Sequence, residues 1–185
     1  MLTHKGTQTI ETPRLILRKA SPEDAQAMFR NWASDPEVTK FLTWPTYTQV
    51  ETAHHILDSW VKDYEKPDFY QWMIVPKALG EPIGTISVVH QRHDTAETEI
   101  GYCIGRPWWH QGITTEALSA VIAYLFLAVN VNRITARHDV NNPHSGAVMR
   151  KCGMAYEGTS RSSDRNNQGL CDMAHYAILR SDWKG

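Results

Sequence analysis

The sequence predicts an α/β (α+β) domain built on a mixed, mostly antiparallel sheet flanked by helices. Three observations carry this expectation. Runs with helical periodicity alternate with strand-like runs along the chain. Three strand-like runs between residues 70 and 104 are joined by connections so short that they imply an antiparallel meander. One long helical stretch, residues 113–125, is apolar enough to require packing on a sheet. With 42% hydrophobic and 21% charged residues, the 185-residue chain has the composition of one globular domain, read as residues 1–185.

The elements follow in order. Residues 14–18, behind Pro13, alternate in part and read as a first strand. Ser21-Pro22-Glu23-Asp24 offers an N-cap serine, proline at the first helical position and acids in the first turn, before Ala25, Met28, Phe29 and Trp32 repeat at helical spacing. That helix is expected to end near Asp35-Pro36. Thr48 with Glu51 three residues later has capping-box spacing and opens a second helix toward Tyr64. Residues 70–76, 83–89 and 97–104 are strands, then Ile113, Ala117, Leu118, Val121, Ile122 and Leu125 mark the apolar helix. Residues 133–139 read as a strand. Residues 145–151 read as a short helix with Ser145 at its N-cap, stopped by Gly153, and residues 172–179 as a final strand, with 161–169 a polar stretch before it.

Composition excludes several functions. Lys plus Arg total 19 against 20 Asp plus Glu, a net charge of −1, which argues against a partner bound through bulk charge such as nucleic acid. The charge is unevenly spread, with −7 over residues 20–99 and +3 over residues 100–165. The longest uncharged apolar-rich run, residues 117–129, falls short of the roughly 20 residues of a membrane span. No secretory signal pattern is visible, and the three cysteines fit reduced thiols better than a disulfide scaffold, so a cytoplasmic location is expected. The nine histidines show no metal-ligand spacing, and no metal is expected.

The turn from Gly105 to Thr114 is the first functional candidate. A strand breaks at Gly105 and Pro107, turns through Gly112 and enters the apolar helix, which aims unpaired helix N-terminal amides at one point. The helix dipole favours a phosphate there. The turn matches neither GxxxxGK[ST] nor GxGxxG.

Three ordered segments carry a resemblance: Glu99-Ile100-Gly101-Tyr102, the turn and helix start from Trp109 to Ala117, and Asn142-Pro143-His144-Ser145 followed by Gly153-Met154-Ala155-Tyr156-Glu157-Gly158. Together they resemble the RimJ/RimL-type branch of the GNAT N-acetyltransferases, and residues 11–18 and 172–183 look like the same branch. Of the signature R/Q-x-x-G-x-G/A, only Gly112 matches; Trp109 and Thr114 depart from it.

The resemblance implies a GNAT acyl-CoA N-acyltransferase fold with splayed central strands, here 97–104 and 133–139. It implies transfer of an acetyl group from acetyl-CoA to a primary amine in a ternary complex. The acceptor would be a protein N-terminal amine, such as that of a ribosomal protein, or a small-molecule amine. The pyrophosphate would meet the backbone of His110, Gln111, Gly112, Ile113, Thr114 and Thr115. The pantetheine arm would meet Asn142, and the thioester oxygen a backbone N–H near Cys103 or Ile104. Glu99 takes the place of the base and Ser145 lies where the cofactor sulfur would be protonated. Asp164 is a second carboxylate that could approach the amine, and Trp44 and Tyr47 lie where the family shapes its acceptor pocket.

Each assignment has a plainer counterpart. Glu99 can be a strand glutamate paired with a cation, Ser145 a helix cap, Asn142 a turn residue before Pro143 and Asp164 a solvated loop residue. An acyl-CoA-binding or regulatory module without catalysis is the alternative function. No membrane or direct nucleic-acid partner is expected, and a homodimer is compatible with the reading. The acidic 20–99 segment would favour a cationic acceptor.

Overall fold

The computed structural model describes residues 2–185. The first strand, Leu15–Arg18, is preceded by a two-residue partner, Ile10–Glu11; these are β2 and β1. Ser21 caps the next segment as expected: its hydroxyl accepts from the Glu23 amide, and Asp24 accepts from the Ser21 amide. The helix winds tightly over Pro22–Asp24, regularly over Ala25–Met28 (α1) and widely over Phe29–Ala33. A further short helix, Pro36–Thr39 (α2), was not expected; Asp35 caps it by accepting from the Glu37 amide, with proline at its start.

The second long helix, Val50–Asp63 (α3), corrects one expectation. The backbone stays extended through Gln49, so the helix starts too late for Thr48 to cap it, and no capping box forms. The meander is as expected: Gln71–Pro76 (β3), Gly84–Arg92 (β4) and Glu97–Ile104 (β5) pair antiparallel. Helix α4, Ile113–Tyr124, continues in a wide turn to Val129 and is followed by β6, Arg133–Asp139.

The last helix, α5, spans Pro143–Lys151 and supplies a second correction. Pro143 suits the first helical position, so the N-cap is Asn142 and Ser145 lies inside the first turn rather than at the cap. Its C-terminus closes as expected, with Gly153 at φ 81° and the amides of Gly153 and Met154 bonded back to Arg150 and Met149. The largest omission in the sequence reading is Ala155–Asn166 (β7), a long edge strand paired with Gly169–Leu179 (β8). Residues 155–166 are almost wholly exposed, so they lack the apolar alternation that marks a half-buried strand.

The eight strands lie in the order β1-β2-β3-β4-β5-β6-β8-β7. Only β5 and β6 run parallel, and they pair over three positions, Glu97–Arg133, Thr98–Ile134 and Glu99–Thr135, before parting. Strand β3 is buried on both faces: Trp72 and Ile74 join the core under α4, while Met73 and Val75 join the core under α1 and α3. Among the described residues, no helix is long and apolar enough to cross a membrane.

Helix α5 sits tightly on β6, because a Cβ on Gly146 would collide with the buried His138 ring. Gly146→Ala is expected to destabilise the protein by about 1–3 kcal/mol, measured as a shift in the denaturant midpoint. In a His138→Ala background the same change should cost less, because the clashing atoms are gone.

Candidate functional site

Where β5 and β6 part, a cavity of about 320 Å³ opens. Strand β5 lines it with Tyr102, Cys103 and Ile104; α5 and its approach contribute Asn142, Ser145 and Val148; the α2 region contributes Val38, Phe41 and Leu42. Among the described lining residues none is Asp or Glu, and Lys151 carries the only fixed charge. His110 and His144 meet edge to face at one side, with ring centroids 4.8 Å apart. The cavity is therefore suited to an anionic or neutral guest rather than to a polycation.

The turn into α4 forms one wall. His110 and Gly112 both have left-handed backbones, at φ 60° and 74°. The first bond of the helix runs from the Glu116 amide to the Gly112 carbonyl, 3.0 Å. Among the described residues, no protein acceptor meets the backbone N–H groups of residues 110–115. Successive unpaired amides at the positive end of a twelve-residue helix make an anion-binding concavity.

This turn is held from outside. Glu116 accepts from the Thr12 hydroxyl at 2.6 Å, the Arg14 amide at 3.0 Å and the Arg14 guanidinium at 2.6 Å, and that guanidinium also donates to the Gln111 carbonyl at 2.9 Å. Partial burial pushes the Glu116 carboxyl up, but the bonds from Thr12 and Arg14 outweigh it and hold the group below the usual carboxylate range. The Trp109 indole donates to the Ile104 carbonyl at 2.8 Å, and Arg106 pairs with Asp35 at 3.0 Å. The amides are thus fixed by contacts made far along the chain.

Of the residues singled out in the sequence, Cys103, Ile104, His110, Gly112, Ile113, Thr114, Thr115, Asn142 and Ser145 all line this cavity. Gln111 does not; its side chain folds back to the Pro107 carbonyl at 2.8 Å. The Asn142 carboxamide makes no hydrogen bond within the described protein, although its amide N–H donates to Asp139. Burial pushes the Cys103 thiol up, with the Thr85 hydroxyl 3.4 Å away, so it is a poor nucleophile.

Ser145 has a partner that sequence reasoning missed. Its hydroxyl donates to the Tyr102 phenol oxygen at 3.1 Å, and the phenol donates to the Ser145 carbonyl at 3.0 Å. Burial pushes the Tyr102 phenol well up, which keeps it protonated. Tyr102 belongs to the Glu99-Ile100-Gly101-Tyr102 segment, so the sequence carried its signal without its role.

The remaining residues lie elsewhere. Trp44 and Tyr47 do not line the cavity; their rings pack 5.2 Å apart and Tyr47 is buried in the core under α1 and α3. The α2-side wall is made instead by Val38, Phe41 and Leu42, from the mixed run Val38-Thr39-Lys40-Phe41-Leu42, which offers no distinctive spacing. Glu99 faces a neighbouring polar depression of about 300 Å³ and is paired with Arg137 at 2.8 Å. Asp164 belongs to β7, not to a loop, and is paired with the same Arg137 at 3.1 Å. Arg133 likewise bridges Glu97 and Glu157. Glu97 and Glu99, two apart on β5, share a face, and both open on this depression.

Residues 14–155 match the acetyltransferase (GNAT) domain, and the chain belongs to that family. It is 31% identical over 179 residues to an uncharacterized N-acetyltransferase, p20, of Bacillus licheniformis, covering 96% of this chain and 99% of that one. Over a shorter stretch, 45% of this chain and 43% of the relative, it is 34% identical to the [ribosomal protein uS5]-alanine N-acetyltransferase of Escherichia coli. Its fold matches the ribosomal L7/L12 α-N-protein acetyltransferase RimL, solved in complex with coenzyme A, with a TM-score of 0.83 at 21% identity, covering 93% of this chain and 98% of that one.

Gly112 tests the turn. A Cβ there would meet only the Arg14 guanidinium at 3.6 Å, so the obstacle to substitution is the backbone rather than space. Holding a side chain at that φ costs about 1–2 kcal/mol. Gly112→Val is expected to weaken coenzyme A binding tenfold or more by calorimetry, because the turn relaxes and its amides no longer converge. An unchanged affinity would locate the cofactor elsewhere.

Proposed function

We propose that this GNAT-family chain transfers the acetyl group of acetyl-CoA to the α-amine of a peptide or protein N-terminus. The single observation that carries the reading is the run of unpaired amides at residues 110–115 opening on the cavity between the parted strands. When bound, acetyl-CoA supplies an activated acyl carbon. The amides of 110–115 hold its pyrophosphate, aided by Lys151, and the Asn142 carboxamide pairs with an amide of the pantetheine arm. A backbone N–H near Cys103 or Ile104 receives the thioester oxygen. The Tyr102 phenol, on turning away from the Ser145 carbonyl while still accepting from the Ser145 hydroxyl, donates a hydrogen bond toward the departing sulfur.

The acceptor must lose a proton as its nitrogen bonds to the acyl carbon and the carbon–sulfur bond breaks. Glu99 lies four residues before Cys103 on β5, roughly 13 Å of strand, too far for one bridging water, so it would draw the proton along a chain of several waters. Arg137 fixes its carboxylate. With no carboxylate lining the cavity, an acceptor that is already partly uncharged is favoured. At pH 7 roughly a tenth of an α-amine of pKa about 8 is neutral, against fewer than one in a thousand of an alkyl amine of pKa about 10.4. The similarity to a ribosomal-protein alanine N-acetyltransferase supports the same choice.

The test follows coenzyme A thiol release with peptides bearing free or blocked N-termini, and with alkyl amines and polyamines. Free N-termini should turn over fastest near pH 7, and Glu99→Gln should slow them by about 10²-fold. Raising the pH should narrow that gap as the amine deprotonates unaided. Faster turnover of polyamines than of peptides would refute the α-amine reading. The pairing of Glu99 with Arg137 favours one alternative, a binding module without catalysis, which predicts tight acetyl-CoA binding and no turnover of any amine.

A further inference from the structure

The tip of the β7–β8 hairpin reaches across to the opposite wall of the cavity. Asn167 is exposed, yet it makes three hydrogen bonds to a segment more than a hundred residues away. Its amide donates to the Leu42 carbonyl at 3.2 Å, and its carboxamide donates to the carbonyls of Thr39 at 2.8 Å and Trp44 at 2.9 Å. Both side-chain donors are spent on the loop that carries Phe41 and Leu42.

The neighbouring residue ties the tip to the other side. The Asn166 carboxamide donates to the buried carboxylate of Asp139 at 2.7 Å, at the end of β6. Asp139 also accepts from the amide and side chain of Asn141, and its carbonyl accepts from the Asn142 amide at 2.7 Å. A hydrogen-bonded band therefore runs from the start of α5, through Asp139, Asn166 and Asn167, to residues 39–44. It joins the wall containing Asn142 and Ser145 to the wall containing Val38, Phe41 and Leu42. Within the 39–44 segment, Thr39 is anchored at the end of α2 by Asp35, Pro36 and Thr46, and the Trp44 ring rests on Tyr47, but among the described residues the carbonyls of Leu42 and Trp44 accept only from Asn167.

We propose that Asn167 is a positioning residue for the amine acceptor: by clamping residues 39–44 it sets the width of the opening through which the acceptor reaches the cavity. This rests on the acetyltransferase reading above for the identity of the guest, but not for the clamp itself. Three donors aimed at three carbonyls within six residues fix both the position and the tilt of that loop. The acetyl-CoA wall, residues 110–115, is held separately through Arg14 and Glu116, so loosening the clamp should affect one substrate and spare the other.

The decisive variant is Asn167→Asp, which keeps the size, removes both side-chain donors and sets a carboxylate oxygen against two carbonyls. Gln168→Ala, at the same tip, is the control, because no hydrogen bond depends on its side chain. Amide exchange by mass spectrometry should rise at least tenfold over residues 39–47 in Asn167→Asp and stay at the wild-type level in Gln168→Ala. With a turned-over peptide, the acceptor KM of Asn167→Asp should rise at least fivefold, while kcat and the calorimetric Kd for coenzyme A stay within twofold. Wild-type exchange over 39–47, an unchanged acceptor KM, or an equal loss of coenzyme A affinity would each overturn the proposal. If the wild-type protein binds acetyl-CoA but turns over no amine, the catalytic reading fails, and the exchange comparison alone decides whether Asn167 holds this wall.

Discussion

The parting of β5 and β6 is the constraint on which the rest of the site depends. Each strand keeps a long antiparallel partner, β4 for β5 and β8 for β6, while their own parallel pairing lasts only three positions. Past Glu99 and Thr135 the two halves of the sheet diverge, leaving backbone and side chains facing a gap that the fold does not fill. Helices α4 and α5 cover one face of that gap, and the first turn of α4 leaves its amides unpaired at the rim. A sheet closed along its full length would have buried Tyr102, Cys103 and Ile104 between neighbours and left no route for an extended ligand arm. The pocket is thus a consequence of register, and its polar groups are those that a broken ladder and a helix start leave over.

Long-range polar ties brace the gap beside the apolar packing of lining residues such as Ile104 and Ile113. Glu116 joins the turn to the N-terminal hairpin, Tyr102 joins β5 to α5, and Asn166 and Asn167 join the far hairpin to both cavity walls. The two apolar cores lie on opposite faces of the sheet, one under α4 and one under α1 and α3. Polar bonds suit the remaining space, since the groups they join border a cavity that must admit solvent and ligand.

The charge distribution has a different meaning in space from the one it has along the chain. The acids of residues 20–99 are expected, from their net −7, to present a negative face to an acceptor. In the structure several are neutralised by bases of the 100–165 segment: Asp35 by Arg106, Glu97 by Arg133 and Glu99 by Arg137. Others pair within their own region, as Glu81 does with Arg30. These pairings offset part of the −7, and the cavity itself carries no carboxylate.

The sequence by itself determined the mixed sheet, the meander, the apolar helix on the sheet, the strand at 133–139 and the glycine turn with its exposed helix start. These are encoded locally, in periodicity, proline and glycine placement and helix-capping residues, and nine of the residues it singled out do line one cavity. It misplaced the caps of α3 and α5, because capping depends on where the backbone turns and not only on which residues could cap. It missed β7, whose exposed polar residues are strand only because β8 pairs with them. Only the tertiary structure decided the partners: Tyr102 for Ser145, Arg137 for Glu99 and Asp164, Glu116 for Arg14, Asn167 for the 39–44 loop. Those contacts join residues tens to more than a hundred positions apart, so no local pattern records them, and they exist because the sheet's topology brings the elements together.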